Sequence, residues 1–180
     1  MYKRQTKSIG FAKAVGNYAG TLLPYKEIVE KGYDEIIFLN ASNENIIDEA
    51  RSANIFVLKG TVLKTPVLQG SILPGITRDS VIKVASKIFN LDVREEDVSL
   101  DELMNADEVF FTGTAAVIAP VGKIVYKNNE IRFKISFEES MTRKIRERLI
   151  DIQYENIEDP FGWVIPVSYT HLTLPTTPYV

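Results

Sequence analysis

Four stretches of this chain carry residue types that could do chemistry together. Gly70-Ser-Ile-Leu-Pro-Gly-Ile-Thr-Arg-Asp79 and Asp107-Glu-Val-Phe-Phe-Thr-Gly-Thr-Ala-Ala116 each set Gly beside Thr, offering backbone N–H groups and a hydroxyl to an anion. The first stretch opens into an amphipathic run and reads as a phosphate seat at a helix N-terminus. Upstream stand an amine, Lys13, and a carboxylate, Glu49. Together they suggest one cofactor site built from four separate segments. Taken singly, none is specific. Lys13 alone reads as a solvated surface lysine, Glu49 as a surface carboxylate, Gly75-Ile-Thr77 as a helix start and Gly113-Thr114 as a strand bend. The neighbours Phe11, Ala12, Ala14 and Val15 set Lys13 apart, because an apolar strand seldom carries a lysine.

Composition bounds what such a site can be. The chain has 180 residues, 45% of them apolar and 10% aromatic, enough for one domain with a core. A net charge of −3 with both signs interspersed carries no nucleic-acid footprint. No run nears the roughly 20 continuous apolar residues that span a bilayer. There is no cysteine, which excludes disulfides, thiolate metal sites and thiol nucleophiles, and a cytoplasmic, reducing setting is expected. The single histidine, His171, falls in the Thr/Pro-rich run 168–180 and is expected to carry no function. Residues 1–5 and 166–180 resemble read-through at the ends of a truncated reading frame, so they are treated as a non-native leader and tail. That leaves residues 6–165 as the folded unit.

The elements that must position these residues can be read from periodicity. Asn17 to Lys31 has helical apolar spacing that ends at Gly32, with Pro24 in an early turn or kink. Ile36 to Leu39, Ile46 to Ile47, Asn54 to Leu58 and Thr61 to Thr65 read as short strands, with a turn at Lys59-Gly60. Thr77 to Phe89 is helical. Ser99-Leu-Asp-Glu102 has capping-box spacing and starts a short helix through Met104. Val109 to Phe111 and Ala115 to Val121 are strands, Ile124 to Tyr126 and Ile131 to Phe133 a hairpin, and Glu138 to Tyr154 a charged amphipathic helix. Short strands mixed with several helices predict an α+β domain rather than a doubly wound sheet.

The order of the motifs carries a resemblance. Ala12-Lys-Ala-Val-Gly-Asn-Tyr18, Ile47-Asp-Glu-Ala-Arg-Ser-Ala-Asn-Ile-Phe56, Ser71-Ile-Leu-Pro-Gly-Ile-Thr-Arg78, Ala106 through Ala116 and Asp151-Ile-Gln-Tyr154 follow one another as in branched-chain amino-acid aminotransferases. These belong to the fold-type IV pyridoxal-phosphate enzymes, and the chain resembles their C-terminal part from about Lys7 to about Trp163. The resemblance implies that family's C-terminal domain, a mixed sheet or pseudo-barrel with flanking helices. It also implies pyridoxal 5′-phosphate as cofactor and transfer of the amino group of leucine, isoleucine or valine to 2-oxoglutarate, with a place in branched-chain amino-acid biosynthesis. Homodimers or larger homo-oligomers are expected, and neither nucleic acid nor membrane as partner. A D-amino-acid aminotransferase or an aminodeoxychorismate lyase shares the geometry, and a non-catalytic fragment is the rival of another class. Asp151-Ile-Gln-Tyr154 and Gly162-Trp163 favour the branched-chain enzymes.

Residue by residue, the resemblance makes Lys13 the Schiff-base lysine and proton carrier. Tyr18 is the hydroxyl at the cofactor's phenolic oxygen, and Glu49 the carboxylate that keeps the ring nitrogen protonated. Ile76 and Thr77 form the phosphate seat, with Gly113 and Thr114 at its other side, and Ala115 offers a main-chain N–H to the substrate carboxylate, next to Thr114. Arg78 is expected to point away and pair with a carboxylate. Two positions depart from the pattern. Arg51 stands where a small residue is usual, and Ala116-Val-Ile-Ala119 stands where mammalian relatives carry a redox Cys pair. The family's smaller N-terminal domain, with its phosphate-binding arginine, has no counterpart in these residues. An apolar face is therefore expected to lie open, with weak cofactor binding and little or no transamination by these 180 residues alone.

Overall fold

The computed structural model describes residues 9–134 and 136–165; the leader and tail expected at 1–5 and 166–180, His171 included, lie outside the described residues. After a 3-10 turn at Ile9–Phe11 come helices α1 (Gly16–Ala19) and α2 (Leu22–Glu30), then strands β1 (Ile37–Leu39), β2 (Ile46–Ala50), β3 (Asn54–Lys59) and β4 (Val62–Thr65). Helix α3 (Ile76–Lys87), strands β5 (Asp92–Glu95) and β6 (Val98–Ser99) and helix α4 (Leu100–Met104) follow. Strands β7 (Glu108–Gly113), β8 (Val117–Pro120), β9 (Lys123–Tyr126) and β10 (Asn129–Arg132), a 3-10 turn at Phe137–Glu139 and helix α5 (Met141–Gln153) complete the order.

Strand β3 is apolar from Ile55 to Leu58 because it lies at the centre of a five-stranded sheet, ordered β5-β4-β3-β7-β8, with both faces covered. On one face Phe56, Leu58, Leu63 and Phe110 pack beneath Val81, Val84 and Ala85 of α3 and Ile145, Leu149 and Ile152 of α5. Phe56 and Phe110 stack there with ring centroids 5.1 Å apart. On the other face Ile55, Val57 and Val109 meet Ile47 of β2, Val98 of β6 and Leu103 of α4. Strands β1, β2 and β6 form a separate antiparallel sheet, and β9 with β10 a hairpin. All neighbours in the large sheet are antiparallel except β4 and β5, which α3 joins as a parallel crossover pair. The architecture is α+β, as the mixture of short strands and helices predicts.

Three local readings are corrected by the structure. The helix expected over Asn17 to Lys31 is two helices broken at Gly20-Thr21, where the Thr21 hydroxyl donates to the Tyr18 carbonyl at 2.7 Å. Pro24 falls in the first turn of α2, where its missing N–H has no partner to lose. Strand β5 escapes the apolar pattern because Asp92, Arg94 and Glu95 leave only Val93 to reach the core from this edge. Lys13 lies in an exposed loop between the first 3-10 turn and α1, not in an apolar strand.

The capping box at Ser99 forms as its spacing implies: Ser99 Oγ accepts from the Glu102 N–H and Glu102 accepts from the Ser99 N–H. Lys64 joins this corner, its Nζ 2.6 Å from both Glu96 and Glu102. The Lys64 hydrogen bond first, and then the Ser99 N–H, hold the Glu102 carboxyl below its ordinary range. A depressed folded-state value stabilises the fold above the unfolded glutamate range and loses that contribution as pH falls through it. The stability difference between wild type and Glu102→Gln, followed by thermal unfolding across acid pH, is therefore expected to shrink as pH falls. Glutamine keeps the capping geometry, and for so exposed a pair the difference stays below about 1 kcal/mol.

Candidate active site

The four chemical stretches meet at one end of the large sheet. Asn54 at the start of β3 lies opposite Thr112 near the end of β7. Glu49 is the penultimate residue of the neighbouring strand β2, and Ala50 N–H donates to the Ala53 carbonyl at 2.9 Å, closing the turn that sets Glu49 beside Asn54. Helix α3 starts from Gly75, an extended N-cap whose side chain offers no cap, so the first N–H groups of that helix lack intrahelical acceptors. A cavity of about 120 Å³ lies among these ends. Lys13, Tyr18, Glu49, Ile76, Thr77, Gly113 and Thr114 all line it, with Asn54, Gly75 and Thr112. Ala115 does not; it is exposed in the turn between β7 and β8.

Each wall has a visible local cause. The loop carrying Lys13 is closed by Asn17, whose side-chain amide donates to the Ala12 carbonyl at 2.8 Å across the lysine. Its base rests on the Gly70 turn at Gly10. A Cβ there would lie 2.6 Å from the Gly70 carbonyl oxygen, so only glycine allows the two turns to touch. Glu49 is almost fully buried. Its Oε2 accepts from the Asn54 amide and from the Leu73 N–H, each at 3.3 Å. At the far side the chain leaves β7 through Thr114 and re-enters the sheet at Val117 with φ of 58°, a conformation that costs a β-branched residue about 1–3 kcal/mol. That strain sits three residues from Thr114, where a turn must be tight enough to aim its groups at the cavity.

Arg78 points away from the cavity, as expected. It lies buried in the first turn of α3, with Nη2 2.8 Å from Glu95 and donating to the Pro66 carbonyl at 2.9 Å. Arg51 is accommodated outside the cavity as well, its guanidinium 3.9 Å above the Tyr25 ring and 3.9 Å from Glu35. Phe11, Val15, Leu22 and Leu23 near the start of the described residues are between 58% and 87% exposed.

Two lining residues carry signals that the sequence reading passed over. Thr112 is 1% exposed, and its hydroxyl has no hydrogen-bond partner among the described residues. A buried orphan hydroxyl on a cavity wall fits a polar ligand in that cavity. Asn54 reads in sequence as a strand residue, and only the fold shows its amide against Glu49. Among the described residues no group of acidic or histidine side chains is arranged to hold a metal, and no helix is long and apolar enough to cross a membrane.

Comparison with known proteins follows the same boundaries. The sequence profile of the amino-transferase class IV family matches residues 9–124. Branched-chain-amino-acid aminotransferase 2, chloroplastic, of Arabidopsis thaliana is 41% identical over 159 residues, covering 88% of this chain and 40% of that protein. The crystal structure of the Escherichia coli branched-chain amino acid aminotransferase superposes with a TM-score of 0.77 at 36% identity, covering 90% of this chain and 51% of that one. The Thermobaculum terrenum enzyme, solved in its PLP form, gives a TM-score of 0.77 at 29% identity over 87% of this chain and 49% of its own. The chain thus spans about half the length, or less, of the relatives it matches. Sequence profile, fold and the order of the cavity-lining segments agree: this chain belongs to the class IV amino-transferases.

Proposed function

We propose that the protein containing this chain is a pyridoxal-phosphate-dependent branched-chain amino-acid transaminase, moving the amino group of leucine, isoleucine or valine to 2-oxoglutarate. The observation that carries this reading is the convergence of Lys13, Tyr18, Glu49, Ile76, Thr77, Gly113 and Thr114 on one cavity from four separate segments. The residues present fit pyridoxal phosphate. The orphaned Thr112 hydroxyl and the uncapped start of α3 supply donors for a polar, anionic group, and a Cβ at Gly75 would strike Asn54 Oδ1 at 2.3 Å, so the chain stays bare at the cavity wall.

When bound, this cofactor supplies an aldehyde carbon for amines and a ring that accepts an electron pair. Several residues of this chain would act with it. Lys13 offers a primary amine on a flexible stem, able to act as nucleophile and then to carry a proton at Nζ between neighbouring carbons. Glu49 offers a buried carboxylate that would hold a proton on a ring nitrogen set against it. The Ile76 and Thr77 N–H groups, the Thr77 hydroxyl and Thr114 would hold the phosphate. Tyr18 orients a phenolic oxygen, and the Ala115 N–H, beside Thr114, receives the carboxylate of the amino acid. A cysteine-free chain depends on no disulfide and suits the cytoplasm, and assembly into a homo-oligomer is part of the proposal.

The test is an assay of the full-length gene product with L-leucine, D-alanine and aminodeoxychorismate, each supplied separately. Turnover of L-leucine with 2-oxoglutarate at ordinary enzyme rates, of about 1–1000 s⁻¹, is expected. Preferred turnover of D-alanine, or lysis of aminodeoxychorismate, would replace the substrate assignment while keeping the cofactor.

A further inference from the structure

Both amide hydrogens of Asn54 are spent inside the site. Nδ2 donates to Glu49 Oε2 at 3.3 Å and to the Leu73 carbonyl at 2.8 Å, from a side chain only 5% exposed. The Leu73 N–H donates back to the same Glu49 oxygen at 3.3 Å, so carboxylate, amide and backbone turn close a small ring of hydrogen bonds. The other end of the Asn54 amide is fixed by contact: its Oδ1 occupies the space in which a Gly75 Cβ would sit, 2.3 Å away. One residue therefore reaches both the Glu49 carboxylate and the turn that launches α3.

From this bridge we infer that Asn54 is a positioning residue that sets the separation between the Glu49 carboxylate and the Ile76–Thr77 amides, and so gauges the length of the cofactor the cavity accepts. The inference rests on the pyridoxal-phosphate reading above. A ligand anchored by its ring on Glu49 can place its phosphate on α3 only while Asn54 holds the two ends in register. Asparagine suits the task because one planar amide presents two donors and one acceptor at fixed angles. Aspartate has the same shape but no donor, and it would face Glu49 with a second carboxylate.

The experiment measures dissociation constants of pyridoxal 5′-phosphate and of pyridoxal, which lacks the phosphate, for the full-length protein and its Asn54→Asp variant. Loss of fold would weaken both ligands alike, whereas loss of register removes the advantage that the phosphate confers. The ratio of the two constants is expected to fall about tenfold or more in Asn54→Asp, the worth of a buried hydrogen-bonded link. Gly75→Ala pushes against the same Oδ1 from the opposite side and is expected to collapse the ratio too, which carries the test if Asn54→Asp does not fold. A ratio unchanged in the folded variants, with wild type binding tightly, overturns the role of Asn54 alone. Wild type that binds neither ligand overturns the cofactor reading as well.

Discussion

In the full-length protein, replacing Lys13 with alanine is expected to abolish the yellow, borohydride-fixed label that wild type takes from pyridoxal phosphate. Transamination should fall by about 10²–10⁴-fold, the usual loss when a positioned proton-transfer group is removed. Stability should stay within about 0.5 kcal/mol of wild type, because Lys13 is exposed in a loop. Lys13→Arg is expected to behave like alanine: a guanidinium keeps the charge but stays protonated and cannot attack an aldehyde carbon. Absorbance after borohydride treatment, combined with peptide mapping, checks the assignment. A label that persists in Lys13→Ala means that another amine does the work.

The largest effect on the fold itself is expected at Glu108. This carboxylate is buried at the start of β7, yet it serves α5: Oε1 accepts from the Met141 N–H, and Oε2 from the Thr142 N–H and hydroxyl, at 2.6 to 2.8 Å. Ser140 takes the next donor, the Arg143 N–H, so side chains from two distant segments share one helix N-terminus. Glu108→Ala leaves three donors without a partner in a poorly solvated place, at a cost of about 3 kcal/mol. For a chain of this length that lowers the midpoint of thermal unfolding by roughly 6–12 °C. Glu108→Gln keeps one acceptor oxygen and should lose less. Thermal unfolding of the three proteins by circular dichroism makes the comparison, and equal midpoints would refute the capping role.

These two residues also show what sequence could and could not reveal. The capping box at Ser99 was legible because both partners sit within one turn. The cap on α5 by Glu108 was not, since its partners lie 33 and 34 residues away. The strands of the sheet centre announce themselves by continuous apolar runs, whereas β5 reaches the core through Val93 alone. At the site, the glycine–threonine loops and the lysine were recognisable from their order along the chain, and they do line one cavity. The surroundings of Lys13 are not what its apolar sequence neighbours imply: they lie in a loop, with Phe11 58% and Val15 87% accessible. Thr112 and Asn54 were invisible as site residues because their meaning is an orphaned hydroxyl and a bridge between distant turns.

The cavity is walled by turns and element ends, while the packed faces of the sheet lie elsewhere. Gly10 against the Gly70 turn, the Ala50–Ala53 closure and the 114–116 turn each hold a wall without drawing on Phe56, Phe110 or the helices above them. Scaffold and lining can therefore accept changes separately. A lineage can exchange residues at the rim and acquire a new substrate while inheriting the same interior, and it can rebuild the interior without losing its chemistry.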